Sequence, residues 1–476
     1  SEAQRRLHLR SELIFTIDPD DAKDFDDAIH LNELDNGNFE VGVHIADVSH
    51  YVQPDTALDA EAIERATSTY LVDRTIPMLP EKLSNKVCSL RPNEDKCVFS
   101  VIMEINRHGD VADYKIRETL IHSKKRLTYD EAQTYIDGGY PEHDVASRIV
   151  QANRLAKTLT KKRMREGAID FGSDEVKVVL DDKGNPEDII RKERMDANRL
   201  IEEFMLLANR TVAKHVGGPD ANKKVANGAY KSRSDELPFV YRIHDNPDGE
   251  RIRQLAEYVR VFGHELPITD GNVTSNDLGN LIDDVRGTPE ETVITRAALR
   301  AMSKAEYGIK NIGHFGLGFP YYSHFTSPIR RYPDLVIHRL LKRYANGGKP
   351  ANKGELTQIC EHCSEQERKA QQAERESVKL KQVEYTQQHV GDTFAGVVSG
   401  VTKFGVFVEL SDLLVEGLVH VREMDDDYYN YDETTYTMSG EHSGKSYRPG
   451  DSVSVQVAGV DVDRRQIDLV FVDSDD

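Results

Sequence analysis

Residues 18–27 have the sequence DPDDAKDFDD, so six of ten consecutive residues are aspartates. The apolar, β-branched run at residues 13–17 predicts a strand in front of them. Pro19 ends that strand, because proline cannot donate a hydrogen bond to a sheet. We therefore expect Asp18 at the end of a strand and the other carboxylates on the loop beyond it. Negative charge at this density is tolerated on a solvated loop, or where a hard cation offsets it.

Two other metal-binding patterns are tested by spacing. An EF-hand loop that starts at Asp18 needs glycine at its sixth position and glutamate at its twelfth. Those positions hold Lys23 and Ile29, which excludes the EF-hand. Residues 20–24 also match the DDxxD pattern of terpene synthases, but that motif lies on a helix in an all-helical protein, and here a strand leads into it.

Length and composition favour a soluble globular protein of two to four domains. The chain has 476 residues, of which 38% are hydrophobic and 30% are charged. It lacks a run of 18 apolar residues, so no membrane span or membrane partner is expected. It also starts at Ser1 without an apolar leader, which indicates part of a longer protein in the cytoplasm.

The net charge of −20 argues against non-specific duplex binding, but it is compatible with a basic channel inside an acidic shell. Basic runs occur at residues 124–126, 161–165 and 330–331, and each by itself is interpreted as a solvated face. Cys360 and Cys363 form a C-x-x-C on a helical stretch. A zinc site would need two further ligands, so reduced thiols are expected.

The pattern along the chain predicts a large mixed domain at residues 1–388. The expected strands are at residues 39–46, 97–105, 168–171 and 175–180. The expected helices are at residues 58–70, 128–137, 143–166, 196–216 with Asp196 as N-cap, 332–344 opened by Pro333, and 354–390.

Residues 389–476 predict a separate, small all-β domain. Short strands broken by glycines follow Gly391, with an irregular Asp- and Tyr-rich segment before the last two, which suggests an OB-fold barrel. The phrases at residues 396–408 and 416–420 resemble an S1-type RNA-binding domain. Phe404, Phe407 and His420 would then stack on RNA bases, the alternative being that they are core residues. The predicted fold class is thus α+β, followed by an OB barrel.

Four sequence motifs show a resemblance to a second known family. They lie at residues 16–28, 44–48, 76–80 and 324–332. Together they resemble the RNase II/RNase R (RNB) family of exoribonucleases from residue 12 to about residue 386. The family usually begins with two cold-shock domains and ends with a basic tail, and this sequence has no counterpart of either.

The resemblance implies a metal-dependent phosphodiesterase site. Asp18 and Asp27 are expected to bind Mg²⁺ directly, with Mn²⁺ as a substitute. Asp24 is expected to be an outer or second-metal ligand. Asp26 would be the aspartate most needed for the chemical step, by positioning the attacking water or a second metal. Arg330, beside a helix N-terminus, would steady the scissile phosphate.

The resemblance also implies a set of RNA contacts. Tyr70 and Phe171 match rings that clamp the terminal bases, and Tyr129 matches a further aromatic that contacts RNA. Glu202 matches a carboxylate at the sugar of the last nucleotide, and Glu374 matches an acid at the edge of the site.

The expected function is therefore processive, magnesium-dependent 3′→5′ hydrolysis of single-stranded RNA by a monomer, with release of nucleoside 5′-monophosphates. Structured RNA with a 3′ overhang is included as a substrate. One alternative is an inactive RNB/S1 protein that binds RNA as a regulator. Loss of a loop carboxylate would indicate it, and none is lost. A more distant alternative is a metal-diphosphate enzyme that uses residues 20–24.

Overall fold

A seven-stranded sheet forms the centre of the larger domain. The computed structural model describes residues 2–139, 144–172, 175–219 and 237–472. The first nine strands are β1 Leu7–His8, β2 Phe15–Asp18, β3 Asp27–Glu33, β4 Phe39–Ala46, β5 Thr69–Tyr70, β6 Thr75–Ile76, β7 Asp95–Ile105, β8 Val111–His122 and β9 Lys125–Thr128. The sheet order is β1-β8-β7-β4-β3-β2-β9, and β5 pairs with β6 in a separate hairpin. Strands β1 and β9 pair in parallel with β8 and β2, and the other pairs are antiparallel.

Alternating side chains of the sheet build the core. Val41, Val43 and Ile45 of β4 lie on one face of the sheet, because successive strand residues point to opposite sides. All three are fully buried. On the same face of β7, Met103 lies 3.5 Å from the Thr211 hydroxyl. Phe99, four residues earlier, packs against Phe325 and His338.

Helices cover this sheet and extend beyond it. Six of the described α-helices precede residue 220: α1 Glu2–Arg5, α2 Val48–Tyr51, α3 Ala57–Arg65, α4 Tyr129–Ile136, α5 Asp144–Arg165 and α6 Asp196–Gly217. The described residues after 236 add five more: α7 Gly249–Val261, α8 Ser275–Val285, α9 Glu291–Ala301, α10 Tyr332–Ala345 and α11 Lys353–Gln387. Helices α7, α8 and α9 share an apolar core of their own. None of the described helices is both long enough and apolar enough to cross a membrane.

Two small antiparallel sheets accompany these helices, the hairpin of β10 Val176–Leu180 and β11 Pro186–Arg191 and the pair of β12 Tyr241–Ile243 and β13 Glu306–Gly308, which are separated in the chain by α7, α8 and α9. The predicted strand at residues 168–171 is wrong. That segment belongs to no helix or strand, and Ile169 N–H donates to Gly316 O at 3.0 Å instead of joining a sheet.

The C-terminal part is a closed five-stranded barrel, as predicted. Its strands are β14 Thr393–Thr402, β15 Gly405–Leu410, β16 Val415–His420, β20 Ser452–Asp461 and β21 Gln466–Phe471, in the order β14-β15-β16-β21-β20. The segment predicted to be irregular holds a further sheet of β17 Tyr429–Asp432, β18 Thr437–Gly440 and β19 Ser446–Tyr447.

The last turns of α11 attach the barrel to the larger domain. Gln382 donates to Leu413 O at 2.9 Å and to Leu414 O at 3.1 Å, and Val383 belongs to the apolar core of the barrel. The long helix therefore contributes to both units. The predicted boundary between residues 388 and 389 stays a prediction.

Two predicted helix ends are wrong. The helix predicted at residues 58–70 ends at Arg65, because Ala66 turns left-handed with φ of 59° and its carbonyl accepts Tyr332 N–H at 2.9 Å. The chain then enters β5 before Tyr70. At the start of α6, Met195 rather than Asp196 is the N-cap, and its N–H donates to the Asn198 side chain at 3.1 Å.

Candidate active site

The acidic loop connects β2 to β3. Asp18 is the last residue of β2 and is buried, and Asp27 is the first residue of β3. Between them, Ala22 N–H donates to Pro19 O at 3.2 Å and closes a turn. The placement of Asp18 at a strand end, which the sequence predicted, is confirmed.

Ser89 holds the second half of this loop. Its hydroxyl donates to Lys23 O at 2.7 Å and accepts Phe25 N–H at 3.0 Å. Phe25 is buried, so its ring anchors the loop in the core. The flanking residues Asp24 and Asp26 are fixed in position as a result.

Asp26 joins the loop to the motif at residues 324–332. Its Oδ1 accepts Ile329 N–H at 2.9 Å, from a residue 303 positions later in the chain. The next residue is Arg330, whose guanidinium donates to Ser327 Oγ at 3.1 Å. The structure thus brings together Asp26 and Arg330, which the sequence predicted to act together.

Burial raises the pKa of all four candidate aspartates. For Asp18, burial and the nearby carboxylate of Asp27 raise the pKa to about 8. The pKa of Asp27 is raised by burial to about 6, against the opposing effect of Arg330. Burial also raises the pKa of Asp24, and it raises that of Asp26 well above its usual value; Arg330 opposes both increases. The four carboxylates are poorly solvated, and two guanidinium groups only partly compensate for this, Arg330 at Asp24, Asp26 and Asp27 and Arg126 at Asp18.

The donor chemistry of this cluster fits a hard divalent cation. Asp18 Oδ2 is buried and has no hydrogen-bond partner among the described residues. Within those residues, no group of three or more His, Cys, Asp or Glu side chains is already arranged as a metal site. Mg²⁺ needs no such cage, because it retains several waters and is commonly held by one or two carboxylates together with substrate phosphates.

Tyr70 lies beside the aspartates, on β5. Its backbone N–H donates to Glu374 Oε1 of α11 at 3.0 Å, and the residue is 41% exposed. The pKa of its hydroxyl is raised by desolvation, which Arg330 opposes and the carboxylates of Asp24 and Asp26 reinforce. The tyrosine is therefore next to the aspartates and still accessible to a ligand.

Tyr129 lies close to the cluster as well. It is the first residue of α4, directly after Thr128, whose hydroxyl caps that helix. The pKa of Tyr129 is raised by burial and by the carboxylates of Asp27, Asp18 and Glu202. Tyr129 thus lies close to both the acidic loop and Glu202.

Glu202 on α6 is linked to the segment that carries Phe171. Arg194 pairs with the Glu202 carboxylate, and its other nitrogen lies 3.5 Å from Asp170 Oδ1. Phe171 is half-buried and packs against the core of α7, α8 and α9. Arg194 therefore links Glu202, which is expected to contact the ribose, to Asp170, the sequence neighbour of Phe171.

Comparison with known proteins identifies the larger domain. A family profile described as the RNB domain matches residues 6–347. The chain belongs to the RNB family. A second profile, described as the S1 RNA binding domain, matches residues 387–470.

Curated relatives and a solved structure agree with this assignment. Ribonuclease R 1 of Lactococcus lactis is 40% identical and aligns with 100% of this chain and 57% of its own length. Ribonuclease R of Thermotoga maritima is 44% identical over 99% of this chain and 65% of its own length. The structure of Mycoplasma genitalium RNase R in complex with ribose methylated single-stranded RNA is 28% identical, with a TM-score of 0.88 over 98% of this chain and 72% of that one. The chain thus spans about three fifths of the length of these curated relatives.

In the S1 domain, the three predicted stacking residues lie outside the barrel core. Phe404 is 59% exposed, with Lys403 Nζ 5.1 Å from its ring centroid. Phe407 and His420 are half-buried, on the adjacent strands β15 and β16. The alternative that these residues form the core is therefore wrong, and their RNA contacts stay a prediction.

Sequence reasoning missed two residues that fix the acidic loop of the RNB domain. Ser89 carries no motif signal, since a single serine is common on any surface. Arg126 belongs to the basic run 124–126, which was interpreted as a solvated face. It instead donates to Pro19 O and Asp20 O. Arg126 lies within β9, the parallel neighbour of β2, and only the structure shows this pairing.

Two other interpretations change. Arg331 is not a solvated charge: only 15% of its side chain is exposed, and it donates to Asp334 Oδ1 at 2.8 Å. Asp334 also accepts Ser327 N–H at 2.8 Å, so this pair fixes the turn before α10. Cys360 and Cys363 are free, buried thiols on α11, in agreement with the expectation of reduced cysteines.

Proposed function

We propose that this chain is a 3′→5′ exoribonuclease that degrades single-stranded RNA processively and releases nucleoside 5′-monophosphates. The observation that supports this most is the bond from Ile329 N–H to Asp26, because it places Arg330 beside a complete set of family carboxylates. The relatives named Ribonuclease R point to the same activity.

The acidic loop would supply the chemical site. Asp18 and Asp27 would hold Mg²⁺ or Mn²⁺, with Asp24 as an outer or second ligand. When bound, the cation activates water and offsets charge on the phosphoryl oxygens. Asp26 orients the attacking water, and Arg330 binds the scissile phosphate, since a guanidinium matches phosphate geometry.

Aromatic and acidic side chains around the loop would hold the 3′ end. Tyr70 and Phe171 stack on the terminal bases, and Tyr129 contacts the RNA next to the aspartates. Glu202 accepts a hydrogen bond from a ribose hydroxyl, which favours RNA over DNA. Phe404, Phe407 and His420 of the S1 barrel bind the strand upstream of the site.

The direct test uses two labels on one RNA. The chain is incubated with Mg²⁺ and a single-stranded oligoribonucleotide labelled at the 3′ or the 5′ end. We expect immediate release of labelled mononucleotide from the 3′-labelled RNA, and stepwise shortening of the 5′-labelled RNA. Release first from the 5′ end, or internal fragments, would contradict the proposal. Binding without release of any mononucleotide would support the RNA-binding regulator instead.

A further inference from the structure

Arg126 reaches from β9 to the acidic loop. Strands β9 and β2 are parallel neighbours, with Arg126 opposite Thr16 and Thr128 opposite Asp18. The guanidinium donates to Pro19 O at 2.6 Å and to Asp20 O at 2.8 Å. It thus contacts the two residues that follow Asp18 at the point where the chain leaves the sheet.

These contacts hold a turn. Pro19 O also accepts Ala22 N–H, so one carbonyl is shared by the turn and the guanidinium. The Arg126 guanidinium lies 5.6 Å from the ring centroid of Phe25, the buried anchor of the same loop. One side chain therefore contacts both halves of the loop.

Backbone carbonyls, rather than an ion pair, account for this arrangement. The Asp20 carboxylate lies 3.8 Å from Arg126, but that side chain is 90% exposed. Exposed pairs contribute little, because water screens them. Hydrogen bonds from a charged donor are stronger than neutral ones, and one guanidinium nitrogen, Nη2 of Arg126, donates to both carbonyls.

We propose that Arg126 is a positioning residue that fixes the turn at residues 19–22 and thereby holds Asp18 and the loop aspartates in place for a divalent cation. The inference rests on the proposed metal-dependent nuclease. It adds a residue that acts on the metal site through the backbone without touching the metal or the RNA.

The variants are Arg126→Met, which removes the donors, and Arg126→Lys, which keeps the charge but replaces the preorganised guanidinium with a compact ammonium on a flexible stem. Lys125→Met is the matched control. Lys125 is adjacent and also cationic, but its amine donates to the Tyr135 hydroxyl at 2.9 Å, away from the loop. Each full-length variant is tested for Mn²⁺ affinity by electron paramagnetic resonance and for amide exchange of peptides covering residues 18–25 without metal.

We expect Arg126→Met to weaken Mn²⁺ binding about tenfold or more, as is typical when a residue supporting metal ligands is lost. Its loop amides should exchange faster than those of the parent. Arg126→Lys should weaken binding by a smaller factor, and Lys125→Met should match the parent. If Arg126→Met does not fold, a weakened affinity of Arg126→Lys supports the inference, and an unchanged one overturns it.

If Arg126→Met binds Mn²⁺ as tightly as the parent and its loop amides exchange at the parental rate, the inference is overturned. This holds even if the parent chain is an active nuclease. Equal weakening by Lys125→Met would also overturn it, because the effect would then be one of general charge. A parent that releases no mononucleotide would overturn the proposed nuclease, while altered loop exchange in Arg126→Met would still support the role of Arg126 in the turn.

Discussion

The acidic loop of the RNB domain and the outer face of the S1 barrel hold their candidate functional residues in opposite ways. Asp26 is 5% exposed and is bound by the backbone of a distant residue. Phe404 is 59% exposed, and its neighbour Lys403 is the cation over its ring. Tertiary contacts thus assemble the acidic loop. Phe404, by contrast, lies in the short connection between β14 and β15.

This difference separates the residues expected to act in hydrolysis from those expected to bind the RNA strand. A charge held in a buried, preorganised site acts strongly, because little solvent screens it. An exposed ring contributes stacking area and can be removed without disturbing the fold. Substitutions in the loop should therefore change rates by orders of magnitude, and substitutions on the barrel should change affinity by small factors.

The largest expected effect is that of Asp26→Asn. Asparagine keeps an oxygen that can accept Ile329 N–H, so the fold should persist. It removes the negative charge, so RNA hydrolysis should fall by about 100-fold or more. The measurement is the single-turnover rate on 3′-labelled RNA, with binding measured in parallel by fluorescence anisotropy.

Asp21→Asn is the matched control, since Asp21 is an exposed aspartate of the same loop. It should degrade RNA at the parental rate, and both variants should retain RNA affinity. A parental rate for Asp26→Asn would remove Asp26 from the chemical step and break the contrast between loop and barrel.

The elements of both regions could be predicted from local pattern. An apolar run followed by Pro19 predicts where β2 ends, and period-two alternation with glycines predicts the barrel. The contacts that complete the site could not be predicted. Ile329 acts through its backbone N–H, which has no signature in the sequence, and Arg126 looks like one more solvated cation.

Tertiary contacts also override local periodicity. Residues 58–70 have helical spacing, yet α3 stops at Arg65 because Ala66 O accepts Tyr332 N–H from the motif before α10. That early stop places Tyr70 on a strand, beside the aspartates. The error in the prediction therefore falls where two distant segments meet to form the site.

A second prediction concerns pH and the buried charge of the loop. The pKa of Asp18 is raised to about 8, above the ordinary value of about 4. The folded chain therefore holds a proton that the unfolded chain has already lost, and metal-free stability should fall as pH rises through this window. Asp18→Asn removes this titration, so its stability should decline less, by about 3–4 kcal/mol between pH 5 and pH 8.

The measurement is the free energy of unfolding from urea melts in chelator, with Asp20→Asn as the exposed control. Mg²⁺ should reduce the pH dependence of the parent, because a ligand that binds only the folded state stabilises it. If the free energy of unfolding depends on pH equally in the parent and in Asp18→Asn, burial of this carboxylate is not costly. The acidic loop would then be no more sensitive to charge than the exposed barrel surface.

The smallest effect is expected on the barrel, for Phe404→Ala in an Asp26→Asn background that leaves RNA intact. Loss of one stacking ring should weaken binding of a single-stranded oligoribonucleotide by about 1 kcal/mol, or five- to tenfold. The melting temperature should not change, because the ring is exposed. Tyr428→Ala removes a ring that is 68% exposed just before β17, and it should leave affinity unchanged. If both substitutions weaken RNA binding equally, exposure of a ring alone, rather than its position on the barrel, determines its contribution to RNA affinity.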